Sequence, residues 1–423
     1  MATPIFMAGG KDGLIAKIGA YLSVPMFLFA VFYALLLAYH KTNSPYENNP
    51  VIPKDYRNIA IWLIVSSIAI YLAGTVAFAL RYGLTDGSIW KTMEEAFLLS
   101  DANHYIEIAK NGYTAVGETR YFIVFFPLFP LLLRLCSFIT LGNYFLASML
   151  LNNACLYVGC IYLYRLTCTM FDAKAGLRAV RYTLLFPVAF FFRIPYTESL
   201  FLMTSVASVF YATQRKYLVA GIWGLFSALT RMTGVLCALP IFMQIVLDYW
   251  DNQQRQKPAV LKSSATMLLP PVGTLLYLCI NKVVTGDWLK FLFYQSDHWH
   301  NGFALFPHAV ETTINYLIRN TQVHHIALWL TQALFIFIML GLLIYAALKL
   351  PPVVSLYGCA YFLMMISSAW LISGPRYLMC MFPAIIALAI PTKHKWADIA
   401  VTILFAASLL CMTALFCLRH AIY

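Results

Sequence analysis

The sequence predicts an all-α polytopic membrane protein, on three observations. Of 423 residues, 61% are hydrophobic and 11% are charged, against about a quarter charged in soluble domains. The mean hydropathy is +0.75. Apolar stretches approaching the roughly 20 residues that cross a bilayer recur along the chain, parted by short polar breaks.

Taken in order, the stretches are 14–39 and 59–80, then 144–166, 182–192, 200–212, 217–230 and 233–246. Residues 265–280, 326–348, 353–371, 377–390 and 397–416 follow, giving about 12 transmembrane helices. The first is long, follows Gly10-Lys11 and meets no small-residue cleavage site. It is therefore expected to be a retained span and not a secretory signal.

Loop charge sets the orientation. The net charge is +12, and its Lys and Arg gather in the breaks 171–181, 214–216, 251–262 and 392–395. If the helices alternate, these fall on one side, which the positive-inside rule makes cytoplasmic. The linker 40–57, with Lys41, Lys54 and Arg57, joins them. The opposite, outer face then takes 81–121, 193–199, the turn at Arg231, the loop 281–322 and the turn 373–376. Loop charges account for the basic balance, so no nucleic-acid partner is expected. The ten Cys lie mostly inside apolar runs without a Cys-x-x-Cys pair and read as small buried hydrophobes.

The segment 121–140, "YFIVFFPLFPLLLRLCSFIT", does not fit a simple span. It holds Pro127, Pro130 and Arg134, and crossing the bilayer would throw the basic break 171–181 outside. Broken backbone at membrane depth needs cover from protein or water. The expectation is a partly inserted, non-spanning segment on the outer face, with both termini outside. The chain reads as one membrane domain, 1–423, with a first outer loop at 81–141 and a second at 281–322. No separate soluble domain, Gly-rich phosphate loop, dinucleotide fingerprint or short-period repeat is apparent.

The most polar outer stretch is "SDANHYIEIAKNGY", Ser100 to Tyr113. Upstream, 88–99 predicts an amphipathic surface helix with Trp90, Phe97 and Leu98 dipping into lipid. A second helix should begin at Asp101 and stop at Asn111-Gly112. On it Asp101, His104, Tyr105 and Ile108 share a face by their i, i+3, i+4, i+7 spacing. Spacing alone favours an ordinary reading, in which Asp101 or Ser100 caps the helix and His104 meets solvent. Against it, a carboxylate beside an imidazole at a membrane surface suits proton abstraction from a hydroxyl.

That stretch is followed in order by "FFPLFPLLLRL", "PYTESLF" and "ALTRMTGVL". The combination resembles the PIG-V-type mannosyltransferases, multi-span enzymes that add the second mannose to GPI anchors, together with their prokaryotic relatives. Against the pattern Trp-Asp-x-x-His-Tyr-x-x-Ile-Ala-x-x-Gly-Tyr, residues Asp101, His104, Tyr105, Ile108, Ala109, Gly112 and Tyr113 match, and Ser100 replaces the Trp. The resemblance is good over about 99–235. It is looser through "VTGDWLKFLFYQSDHWH" and "GPRYLMCMFP".

The resemblance implies a GT-C glycosyltransferase fold and a polyprenyl-phosphate donor, usually dolichyl- or undecaprenyl-phosphate mannose. It implies an essential Asp in the first outer loop and inversion at the sugar carbon. Asp101 is then the candidate general base, with His104 orienting the acceptor or sharing the proton. Tyr105 is expected beside the substrate.

Arg231 and Arg376 interrupt apolar runs at the outer ends of helices and are candidates to hold the leaving phosphate, since guanidinium forks onto phosphate oxygens. For Arg231 the alternatives are snorkelling or a structural bridge to Glu198. Arg193 and Glu198, in "FRIPYTESLF", are expected to bind donor or acceptor, or simply to cap a helix start. In "YQSDHWH", Trp299 reads as a substrate contact or interfacial anchor. Asp297, His298 and His300 raise a divalent-metal reading, which is not favoured because no second cluster has ligand spacing. No cofactor is expected.

The rival class is a polyprenyl-linked sugar flippase or secondary transporter without bond chemistry. It would want polar sites near the bilayer midplane in paired halves, whereas the candidates here gather at one face. The acceptor could be a glycolipid, a glycan or a protein. The membrane is the plasma membrane in a prokaryote, toward which the compact loops point, and the endoplasmic reticulum in a eukaryote.

Overall fold

The computed structural model describes residues 52–251, 263–319 and 322–420. The expected first span at 14–39 and most of the basic break 251–262 lie outside them. The described chain is helical throughout, apart from one isolated antiparallel bridge between Phe303 and Ser368.

In the first half, α1 (Pro53–Tyr82), α2 (Ile89–Phe97) and α3 (Asp101–Asn111) precede a tight turn at Glu118–Val124 and α4 (Leu128–Ile139). Then come α5 (Tyr144–Met170), α6 (Ala173–Leu184), a tight turn at Ala189–Phe192, α7 (Glu198–Thr213) and α8 (Tyr217–Thr230). A turn at Met232–Cys237 leads into α9 (Ala238–Asp251). The second half holds α10 (Leu269–Thr285), α11 (Lys290–Asp297), α12 (Phe306–Arg319), α13 (Val323–Lys349) and α14 (Pro352–Ile366). It closes with α15 (Gly374–Leu378), α16 (Phe382–Ala389) and α17 (Lys395–Cys417).

Local chemistry sets several boundaries. Asn143 Oδ1 accepts from Leu146 N at 2.9 Å and Asp172 Oδ1 from Ala175 N at 2.6 Å, each satisfying an orphan donor of a helix start. Proline stands in the first turn of α1, α10, α14 and α16, where its missing N–H costs nothing. Gly112 ends α3 at φ 77°, a conformation that any side chain would strain. Helix α3 thus has the bounds its sequence predicts.

Six helices are long and apolar enough to cross a membrane: Lys54–Tyr82, Tyr144–Met170, Met232–Tyr249, Ser264–Thr285, Leu328–Lys349 and Lys395–Cys417. Helices α8 and α14 are apolar but shorter. Length alone therefore does not reach the expected count of about 12 among the described residues.

Several expected spans are broken. Residues 182–192 are not one helix: α6 already runs through most of the expected loop 171–181 and ends at Leu184, with Pro187 following. The stretch 353–371 is helical only to Ile366, and 377–390 is split at 379–381. The turn Glu118–Val124 and α4 meet at a bend of 111°, at Pro127. A proline removes the donor that would carry the helix through.

The helix ends sort into two groups. Helices α5 and α7 run side by side in the same direction, Asn152 bonding to the carbonyl of Ile194, Gly159 lying against Met203 and Arg165 over the Phe210 ring. Asp55 accepts from Tyr164 OH at 2.5 Å, joining the start of α1 to the end of α5. Arg181 pairs with Asp398, and Arg178 Nε donates to the carbonyl of Ala389 at 2.9 Å. The basic breaks 171–181, 214–216 and 392–395 thus share one end of the bundle, as the charge pattern predicts. The starts of α3 and α7, the end of α8 and α15 lie at the other.

Candidate active site

Four charged side chains from four separate elements meet at the second end. Asp101 comes from the first turn of α3, Glu198 from that of α7, Arg231 from the residue after α8, and Arg376 from α15. Arg376 Nη1 donates to Asp101 Oδ2 at 2.7 Å and Arg376 Nε to Glu198 Oε1 at 2.6 Å. The same Glu198 oxygen accepts from Arg231 Nη1 at 2.9 Å. The side chain of Glu198 is 0% exposed, that of Arg376 7%, Arg231 13% and Asp101 18%. Two acids and two guanidinium groups balance, which is the condition for holding charge away from water.

Aromatic rings fix Arg376. Its guanidinium carbon lies 4.4 Å from the Tyr196 ring centre, 5.4 Å from Phe191 and 5.5 Å from Tyr377. Tyr196 OH also donates to the carbonyl of Leu99 at 3.1 Å, tying the arginine wall to the residue before Ser100. Ser100 takes φ 53° with no side-chain cap bond, and Asp101 turns to Arg376. The capping reading therefore fails for both residues. A non-glycine residue with positive φ beside a candidate base stores local strain.

His104 and Tyr105 extend the site. His104 lies 4.4 Å from the Phe122 ring, 5.3 Å from Phe125 and 5.4 Å from Trp299. Its Nδ1 and the Nε1 of Trp299 are buried without a hydrogen-bond partner. Burial pushes the His104 pKa below its ordinary value, Asp101 opposing and His298 reinforcing the shift. The imidazole is therefore neutral at pH 7, the form that accepts a proton. Tyr105 is buried, packing edge-on against Phe125 and Phe129, with Tyr196 beyond.

Arg193 does not join the cluster. It is fully buried, and its guanidinium donates to the carbonyls of Ala189 at 2.6 Å and Leu184 at 3.3 Å. It also reaches Ser66 Oγ at 2.8 Å and Ser67 Oγ at 3.4 Å on α1. Those carbonyls are exposed by the break after α6, so Arg193 closes the break and its donors are spent inside the fold. The expected substrate contact at Arg193 has no support in this geometry.

One other expectation changes. Phe97 does not dip into lipid: it is fully buried against Tyr71, 5.4 Å between ring centres, where Gly74 leaves room. His298 stacks flat on Tyr121 at 3.8 Å, and among the described residues no group of three His, Cys, Asp or Glu side chains could hold a metal ion. The sequence did not mark Tyr196 and Tyr377 as site residues, although each lies within two positions of a singled-out charge, in "PYTESLF" and "GPRYL".

The chain is thus an all-helical, multi-pass membrane protein with a buried carboxylate–arginine cluster at one end of its bundle. Residues 77–284, just under half of the chain, match the family model described as Mannosyltransferase (PIG-V). The match holds Asp101, His104, Glu198 and Arg231, and bears out the resemblance read from the motifs. No curated protein matches the sequence.

Among solved structures, ArnT from Cupriavidus metallidurans bound to undecaprenyl phosphate is similar with TM-score 0.48 and 13% identity, over 83% of this chain and 64% of that one. The Archaeoglobus fulgidus oligosaccharyltransferase, in complex with Zn and sulfate, gives 0.46 and 12%, over 86% and 53%. The oligosaccharyltransferase AglB from the same organism, with an inhibitory peptide and a dolichol-phosphate, gives 0.43 and 13%, over 86% and 56%. The chain spans between about half and two thirds of the length of these proteins.

Proposed function

We propose that the protein is a membrane glycosyltransferase, most simply a mannosyltransferase, that moves a sugar from a polyprenyl-phosphate donor to an acceptor hydroxyl on the extracytoplasmic or lumenal face. The observation that carries this reading is the pairing of Asp101 with Arg376 beside Arg231, inside a segment that matches a mannosyltransferase family. A base for a hydroxyl and cations for a leaving phosphate are what the transfer needs, and they stand side by side.

The acceptor oxygen attacks the anomeric carbon from the face opposite the phosphate. As the new carbon–oxygen bond forms, the carbon–oxygen bond to phosphate breaks and its electron pair stays on the leaving oxygen. The hydroxyl proton passes to the Asp101 carboxylate, with neutral His104 orienting the acceptor. Charge grows on the phosphate, where preorganised guanidinium groups lower the barrier. The outcome is inversion and release of polyprenyl monophosphate.

Polarity gathered at one end of the bundle supports an enzyme at the membrane edge over a carrier, which would need its charged site midway through the membrane. The basic breaks grouped at the far end support an outer location for the site. Trp299, beside His104, is assigned to the sugar or acceptor. The test is turnover: purified protein with polyprenyl-phosphate mannose should release lipid phosphate, and Asp101→Asn should abolish release while the protein stays monodisperse. Full turnover by Asp101→Asn removes the base assignment.

A further inference from the structure

We infer that Asp101 occupies the donor-phosphate position of Arg376 in the substrate-free protein, so that donor binding displaces this carboxylate and thereby releases the base. The inference rests on the function proposed above and concerns the order of events at the same site.

Arg376 presents one edge to each acid. Its Nε is held by Glu198 at 2.6 Å, and Nη1 by Asp101 at 2.7 Å. With Nε held by Glu198, the edge left for bidentate phosphate binding is the one formed by Nη1 and Nη2, and Asp101 now takes its Nη1. Phosphate and Asp101 therefore compete for Nη1 of Arg376.

The cluster shows which acid yields. Glu198 is 0% exposed and is shared by two arginines. Taking it off them would strand a buried carboxylate. Asp101, at 18%, is the most exposed of the four and can turn outward without being stranded. Arg376 itself is held by Tyr196, Phe191 and Tyr377, so the arginine stays while the aspartate moves. A phosphodiester monoanion replacing one carboxylate keeps the local charge balance.

The consequence is ordered activation. While Arg376 holds Asp101 Oδ2, that oxygen is turned to the guanidinium; once the donor has taken its place, it stands free beside the bound sugar to accept the acceptor's proton.

The test is equilibrium binding of polyprenyl phosphate, without sugar, to protein in nanodiscs, with the matching polyprenol as the uncharged control. Asp101→Asn should bind the phosphate more tightly than wild type, by about tenfold, while Arg376→Gln loses phosphate-dependent binding. Carboxyl footprinting of the wild-type protein supplies a readout free of any folding defect: labelling at Asp101 should rise when polyprenyl phosphate is added. Equal or weaker binding by Asp101→Asn, or unchanged or lower labelling of Asp101, with phosphate binding still dependent on Arg376, overturns the exchange and leaves the proposed function standing. If neither wild type nor Asp101→Asn distinguishes polyprenyl phosphate from polyprenol, the donor reading itself fails.

Discussion

Arg376 Nε donates to Glu198 Oε1 across 2.6 Å, joining two side chains 178 positions apart in the chain. The same oxygen takes Arg231, so one carboxylate holds α7, α15 and the end of α8 together.

Removing that carboxylate leaves two arginines without their shared partner. Glu198→Gln is expected to destabilise the protein by about 3 kcal/mol or more, as breaking a buried pair does elsewhere, and to lower turnover. Replacing Glu198 and Arg231 together by neutral residues should cost less than the sum of the single changes. Thermal unfolding of the three variants in one detergent measures both statements.

His104 gives a pH signature. Burial holds its pKa below the ordinary value of about 6.5, so below that pH the unfolded chain binds a proton that the folded chain resists. Stability should fall as pH drops through about 6.5 and recover above it, since it rises with pH wherever the unfolded state holds more protons. His104→Gln should flatten that slope between pH 5.5 and 7.5 in melting scans. An unchanged slope would show that the signature belongs to another group.

Gly234, in the stretch "RMTGV", lies against the turn of the preceding helix. A Cβ there would sit 2.1 Å from the carbonyl of Ser227. Gly234→Ala must therefore push the Met232–Cys237 turn off α8 and carry Arg231 with it. Expected are a large drop in melting temperature and lost activity. Gly302→Ala, with nothing within 4 Å of its Cβ, should melt like wild type.

Arg193 tests the separation of scaffold from site. Its fork reaches two carbonyls and two serines, which a lysine's single ammonium cannot match. Arg193→Lys should lower the melting temperature by several degrees, while the fraction that stays folded keeps its affinity for polyprenyl phosphate. Arg376→Lys should do the reverse, weakening binding more than stability.

The sequence made α3 legible to the residue, because a polar helix with a glycine stop contrasts with its apolar surroundings. It also made legible the acids and both arginines of the site, since charge in so apolar a chain is conspicuous. Arg193 looked the same by that criterion. What separates it from Arg376 is the run of open carbonyls after Leu184, a property of a broken backbone that composition does not carry. Pro187 and Pro195 were the only local signs of the break. Phe97 misled for a related reason: an apolar residue on an amphipathic helix faces lipid or protein with equal ease, and Gly74, far upstream, decides between them.

Arg193 is bolted to the middle of α1, and Glu198 stands five positions later. The four residues between them act as a gauge: they fix how far the charged cluster lies from the anchor on α1. Inserting or deleting one residue between the two would leave both anchors chemically intact yet out of reach of each other's partners. In this architecture, spacing is as intolerant of change as the charged groups themselves.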